Sequence, residues 1–354
     1  MEWRPESTVG TEIEYTDNLY MDSENPTAET FLYGNAVFRL RGESDTTRIL
    51  LNADVHAQRL QRTRRANNEF YTAGVACSRF FEQGEFSIET QYNETSTRAI
   101  DLETIGVTPN FIFGKQRSVT FHPRVEYDAN ETNRLAFAVR YDDIRYDLPN
   151  YTDYTNTNVQ FNWFHSLNDR IELNTQMQVQ RYDSRDNLVD HEYGSLLAVL
   201  NNEATDRWHL QIGAGLGYLV RTFGNNYRTF LGRFSATRLN EQSEFVIRAE
   251  SSLQPTSSAR LSRLSRFTLG YRLSISELSN INSEFGFSRS NIIDASPSYD
   301  NDLLRVGIGY HSRLNERLDW NARYAFINNL TSRDNLSRIS NSIFLSLTLA
   351  FDHE

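Results

Sequence analysis

The chain has one cysteine, one lysine and seven prolines among its 354 residues, and it has no long apolar run. Each scarcity excludes something. Cys77 alone can neither form an internal disulfide nor complete a zinc set. No histidine lies near it in sequence to activate its thiol, so it reads as a small apolar residue on a strand. No stretch reaches the ~18 apolar residues that a helical membrane span requires, and the mean hydropathy is −0.58. Apart from Lys115, arginine supplies every basic side chain. Lys and Arg total 36 against 46 acids, a formal charge of −10, which argues against an electrostatic nucleic-acid partner. With 18 Tyr and 22 Phe the chain is too aromatic for disorder, and with so little proline it is no collagen-like or mucin-like stalk. The opening Met1-Glu2-Trp3-Arg4-Pro5-Glu6 has neither the basic nor the apolar region of a secretory leader.

What is present is alternation. Ile343, Leu345, Leu347, Leu349 and Phe351 take one side of a period-2 pattern while Ser342, Ser346, Thr348 and Ala350 take the other, with Phe344 as the bulky exception. Between 171 and 180 the polar side is more extreme, setting Glu172, Asn174, Gln176, Gln178 and Gln180 against Ile171, Leu173, Met177 and Val179. That side must face water. No 3.6-residue stripe competes with this pattern.

The connections are a second regularity. Short polar turns, such as Gly42-Glu43-Ser44-Asp45 and the similar Leu167-Asn168-Asp169, Leu239-Asn240-Glu241 and Leu314-Asn315-Glu316, alternate with longer and more variable loops. Short turns on one side and long loops on the other are the build of an outer-membrane barrel. The predicted fold is all-β, a transmembrane antiparallel up-and-down β-barrel of about 18 strands. Residues 1–7 read as a periplasmic tail and 8–352 as one barrel domain, with 96–117 as a long loop folded into the mouth. Within that loop, 103–113 has strand-like alternation, but an extra strand would invert every later connection and leave an odd total.

A soluble sandwich also alternates. Against it stand strands of ~10–15 residues rather than ~5–6, and Trp163, Trp208 and Trp320, which all fall near short turns, where a periplasmic aromatic girdle belongs. A barrel of this size leaves an aqueous lumen. Parity assigns to its wall Arg39, Arg124, Glu126, Arg140, Asp142, Glu172, Gln176, Arg248, Glu250, Arg272, Glu284, Arg305, Asp319 and Arg323. Both signs are interspersed, which suits a neutral or mixed, hydroxylated solute better than a polyanion or a cation.

The stretch Gly10-Thr11-Glu12-Ile13-Glu14-Tyr15-Thr16-Asp17-Asn18-Leu19, a first strand running into a Tyr-Thr-Asp-Asn loop, resembles the start of the β-barrel porin-2 family, which includes barrels found with exopolysaccharide systems. Phe351 resembles the aromatic assembly signal of outer-membrane barrels, although Asp352-His353-Glu354 follow it. The resemblance implies an outer-membrane conduit for a secreted polysaccharide. Its expected partners are that polymer, outer-membrane lipid and lipopolysaccharide, and periplasmic components of a synthesis and secretion system. It also implies that a leader has already been removed. The alternatives are a general diffusion porin for small hydrophilic solutes and a surface scaffold or adhesin barrel.

No catalytic residues, metal or cofactor are expected. The seven histidines form no HExxH, no GxSxG is present, and no glycine-rich phosphate loop precedes a helix. Gly213, Gly215 and Gly217 alternate on a strand and read as room for a side chain opposite.

Overall fold

A computed structural model describes residues 1–62, 67–97, 114–149, 151–185, 190–221, 226–255, 261–293, 300–331 and 336–352. Eighteen strands make up the architecture. The first six are β1 (Glu2–Thr16), β2 (Glu29–Glu43), β3 (Thr47–Leu60), β4 (Asn68–Phe81), β5 (Gly84–Ser96) and β6 (Lys115–Asn130). The next six are β7 (Asn133–Tyr146), β8 (Tyr154–Asn168), β9 (Ile171–Ser184), β10 (Asp190–Thr205), β11 (Trp208–Arg221) and β12 (Tyr227–Leu239). The last six are β13 (Ser243–Pro255), β14 (Leu261–Ser276), β15 (Ser279–Ile292), β16 (Asp300–Arg313), β17 (Leu318–Thr331) and β18 (Leu336–Asp352).

Each strand pairs antiparallel with its sequence neighbours, and β1 closes on β18 from Glu6↔Asp352 to Thr16↔Ser342. Closure gives every strand a partner on both sides, and in a bilayer that condition decides viability, because an unpaired backbone group in hydrocarbon costs several kcal/mol. Alternation sorts the side chains. On β18, Ile343, Leu345, Leu347, Leu349 and Phe351 are 38–52% exposed on the outer surface, while Ser340 and Ser342 are buried on the inner one. Phe344, the exception in the pattern, faces inward beneath the guanidinium of Arg323, 4.1 Å from its ring centre.

Short turns gather at one end of the barrel. Asn168 and Asn315 shape two of them: the Asn168 side-chain oxygen accepts the amides of Arg170 and Ile171 (2.9 and 3.0 Å), and that of Asn315 accepts the amide of Arg317 (2.9 Å). Pro123 has no N–H to give, and the β6–β7 register passes from Phe121↔Tyr141 to Arg124↔Ala138 without pairing His122 or Pro123.

The structure corrects two boundaries. Residues 2–7, read as part of a tail, are strand: Glu2 to Ser7 pair with Glu43 to Phe38, and the Trp3 ring lies so close over Gly42 that an added Cβ would sit 2.6 Å from it. Proline and polar residues on the outer row had hidden that alternation. The long loop is shorter than 96–117, because β5 reaches Ser96 and β6 starts at Lys115. The ambiguous stretch 103–113 lies outside the described residues. However, β5 and β6 are paired with each other from Gly84↔Tyr127 to Ser96↔Lys115, so no wall strand lies between them.

At the long-loop end the ladder stops short in two places. Between β4 and β5 it ends at Thr72↔Asn93, although both strands continue. Lys115 bridges this split, donating to the Glu69 carbonyl of β4 (2.8 Å) and the Glu94 carboxylate of β5 (2.6 Å). Between β12 and β13 the ladder ends at Gly232↔Ser251.

Candidate functional site

The inner rows form the candidate site. Register places all fourteen predicted wall residues in rows opposite the exposed apolar rows; Arg124 and Glu126, for example, alternate with the outward Val125 and Tyr127. Trp163, Trp208 and Trp320 lie in outward rows at the short-turn end. Trp163 donates its indole N–H to Asn133 (3.0 Å), Arg238 stacks over Trp208, and Tyr310 packs on Trp320. Trp3 stands at the same end, on a segment whose sequence reads as a tail rather than as strand.

The wall residues form local networks rather than one track. Asp142 is a hub that accepts from Thr120 (2.7 Å), Arg140 (3.0 Å) and Asn156 (3.1 Å). Asn156 in turn accepts from Gln180 (2.9 Å), and Gln160 donates to Asn162 (3.0 Å), so β8 and β9 present a carboxamide wall. Arg124 contacts Glu126, and Arg134 lies between Glu126 and Glu172 (4.0 and 3.6 Å) while stacking on Phe164. Asn201 donates to Glu172 (3.2 Å). Elsewhere on the wall Arg272 pairs with its ladder partner Glu244 (3.8 Å), and Asp319 of β17 faces His311 and Arg313 of the neighbouring β16 (3.7 and 3.5 Å).

Among the described residues Arg39, Arg248, Glu250 and Glu284 make no ion pair, so their charges face the open lumen. A recess of about 350 Å³ gathers Arg248, Arg272, Glu284 and Arg323 over the side-chain-free wall of Gly270, Gly307 and Gly309. Arg305 lies further along the same wall, opposite Gly286, and Gln176 lines a separate recess with Arg233 and Glu250.

The long-loop mouth differs from this polar middle, and the sequence did not announce the difference. Leu19, from the connection after β1, is buried against Phe31 and Leu60 inside the barrel, and Met21 of the same connection is buried as well. Opposite them Tyr154, Tyr182, Tyr193, Leu219 and Leu261 form a second buried cluster. An added Cβ at Gly217 would lie 2.7 Å from the Tyr193 ring, so the alternating glycines of β11 do make room for side chains of β10.

Beside the first cluster is a cavity of about 410 Å³. A file of rings runs from that cluster along the cavity wall, with centres 5.7 Å apart for the buried Phe31 and the lining Tyr33, 5.1 Å for Tyr33 and His56, and 6.2 Å for His56 and Phe70. The Tyr33 hydroxyl donates to Glu14 (2.6 Å), and one Asp54 carboxylate oxygen is buried there without a partner. Rings beside hydrogen-bonding groups in a space of that size suit one small solute.

The loop itself is held by the residues of the Tyr-Thr-Asp-Asn stretch. Thr16 bonds Ser340 (2.9 Å), Asp17 bonds Asn341, and the Asn18 amide donates to the carbonyls of Ile339 and Asp22 (both 2.8 Å). Met21 has a φ of 47°, an uncommon conformation for a residue with a side chain, and its amide is taken by the Asn18 carbonyl (3.2 Å). Asp22 lies in the same loop, where the amides of Glu24 and Asn25 hold its carboxyl below the usual aspartate range.

Neither a protein-family model nor a curated protein matches the chain. Solved structures do resemble it. Acinetobacter baumannii OccAB2 aligns with a TM-score of 0.56 at 12% identity, covering 100% of this chain and 98% of that one. The outer membrane protein opdK of Pseudomonas aeruginosa gives 0.54 at 11%, covering 98% and 99%. A structure of OpdK with vanillate gives 0.53 at 11%, covering 99% of both chains. At such identities the likeness shows the shared fold: a closed, 18-stranded antiparallel barrel of the outer-membrane type.

Proposed function

We propose that the chain is an outer-membrane diffusion channel for small hydrophilic solutes. The observation that carries this reading is the closed 18-stranded wall whose inner rows are polar throughout the middle and charged with both signs. A barrel of this strand number encloses a water-filled path unless loops fill it. Here the connection after β1 fills part of the mouth with Leu19 and Met21 and leaves the ring-lined cavity, whose size fits a single solute rather than a polymer strand in free passage. The vanillate held by OpdK is of that small size class.

Polysaccharide export, the leading expectation from the sequence, has no support in the fold's neighbours, and the diffusion alternative is the better reading. Outward ion pairs at the loop end, Arg59–Glu69, Arg181–Asp183 and Arg289–Asp302, stand where lipopolysaccharide phosphates would meet the wall, and they support that lipid as a partner.

Purified, folded protein inserted into planar bilayers tests the reading. Stepwise ionic conductance is expected, together with swelling of liposomes in small sugars that fades as sugar size increases. A barrel that inserts and conducts nothing overturns it. Loss of surface polysaccharide on deleting the gene would restore export.

A further inference from the structure

The split between β12 and β13 differs from the one between β4 and β5. Above Gly232↔Ser251 both strands remain strand, β12 from Tyr227 and β13 to Pro255, yet they pair only with their other neighbours, β11 and β14. Among the described residues no side chain spans this gap as Lys115 spans the other.

The cause is visible in the alternation. Counting from the inward Arg248 and Glu250, Leu253 belongs to the outer row, and its partner row places Leu261 there too. Both instead pack into the tyrosine cluster with Tyr193 and Leu219. The end of the β13–β14 hairpin therefore leans over the lumen and parts from β12.

Behind the gap lies a cavity of about 160 Å³ lined by Tyr193, Arg233, Glu250, Ser251 and Ser252. The hydroxyls of Ser251 and Ser252 are buried there without a hydrogen-bond partner. In front of it the two lips differ. Leu216 and Phe230, 69% and 56% exposed, make the β12 side apolar, whereas Arg263 and Ser265 are exposed on the β14 side. An edge of unpaired backbone is untenable against pure hydrocarbon, so this one calls for a hydrogen-bonding occupant at the height where lipid tails meet head groups.

We propose that this gap is a lateral portal, through which an amphiphile with a single aryl or alkyl tail and a hydrogen-bonding head passes between lumen and outer-membrane lipid. The head would sit against Ser251, Ser252 and Arg233, and the tail would leave past Phe230 and Leu216. The axial path for hydrophilic solutes does not depend on it.

The test uses the full-length barrel with Cys77→Ser and two cysteine pairs of equal ladder parity: Phe230→Cys with Leu253→Cys above the stop, and Phe234→Cys with Ala249→Cys below it. Oxidation in native outer membranes should join the lower pair and leave the upper pair open, since a disulfide needs Cα atoms within about 7 Å. Bridging the upper pair with a longer bis-thiosulfonate reagent should then abolish the barrel-dependent uptake of N-phenylnaphthylamine into membrane hydrocarbon while leaving axial conductance unchanged. An upper pair that oxidises as readily as the lower overturns the proposal, as does uptake that persists after bridging.

Wild-type protein supplies an independent measurement should the pairs fail to fold. Amides of 228–231 that face the gap should exchange at least about a hundredfold faster than those of 233–237. Equal protection would mean a continuous wall and no portal.

Discussion

Asp17 and Asn341 grip each other across the seam where the first and last strands of the barrel meet. The Asn341 backbone amide donates to one carboxylate oxygen (2.7 Å), its side-chain amide donates to the other (2.6 Å), and the Asp17 amide donates back to the Asn341 carbonyl (3.0 Å). The chain ends are joined by hydrogen bonds alone, so the last pair before the loop decides whether the seam frays. Asp17 directly follows the end of β1, whereas Asn341 lies within β18, and the contact also anchors the loop that carries Leu19 into the mouth.

Asp17→Ala should therefore destabilise the barrel by about 1–3 kcal/mol, the usual cost of stranding hydrogen-bonding groups. Unfolding followed by heat-modifiable migration should show the loss. An unchanged unfolding temperature would mean that water replaces the carboxylate without cost.

The Asp22 carboxylate, held low by two backbone amides, makes the ordering of its loop depend on pH. For an acid whose folded pKa is depressed, the stabilisation is fully present above the ordinary aspartate value and is lost as pH falls through the lower, folded one. Amide exchange at Glu24 and Asn25 should accelerate in that acidic window, and Asp22→Asn should remove the pH dependence.

Charge reversal on the lumen wall reports on conduction. Arg248→Glu together with Arg272→Glu should shift selectivity toward cations, read as a displaced reversal potential in a salt gradient, because both side chains line the same recess. A reversal potential that does not move would place the ion path elsewhere.

At the opposite end, Trp163→Ala removes both an interfacial aromatic and the bond to Asn133. A loss of about 0.5–3 kcal/mol is expected in denaturant titration, larger in lipid than in detergent if the ring anchors at the bilayer interface.

Gly217→Ala forces a Cβ against the Tyr193 ring and should cost about 1–3 kcal/mol by overpacking. In a Tyr193→Ala background, which is itself destabilised by the lost ring, the added cost of Gly217→Ala should largely vanish.

Parity made most of the wall legible from sequence. Once one outward residue of a strand is known, every second residue follows, which is why Arg39, Glu172 and Asp319 could be placed on the inner rows without coordinates. The mouth was not legible for the same reason. Phe31 and Leu219 sit on inner rows as apolar residues, and alternation gives no warning that a connection will fold inward and bury them. The Asp17-Asn18 stretch carries a family resemblance in sequence, but its work as a clamp on β18 is a contact between residues more than three hundred positions apart. The parting of β12 from β13 is likewise a tertiary event, in which two residues of correct local pattern, Leu253 and Leu261, are pulled to the wrong face by the tyrosines they meet.

The split between β4 and β5 has a consequence for chemistry on the intact cell. Its bridge, Lys115, carries the only side-chain primary amine of the chain. An acylating reagent has one side-chain target, and that nitrogen is occupied by the Glu94 carboxylate and the Glu69 carbonyl while the bridge is closed. Its rate of modification is thus a native clock for the opening of that seam, readable without introducing a single mutation.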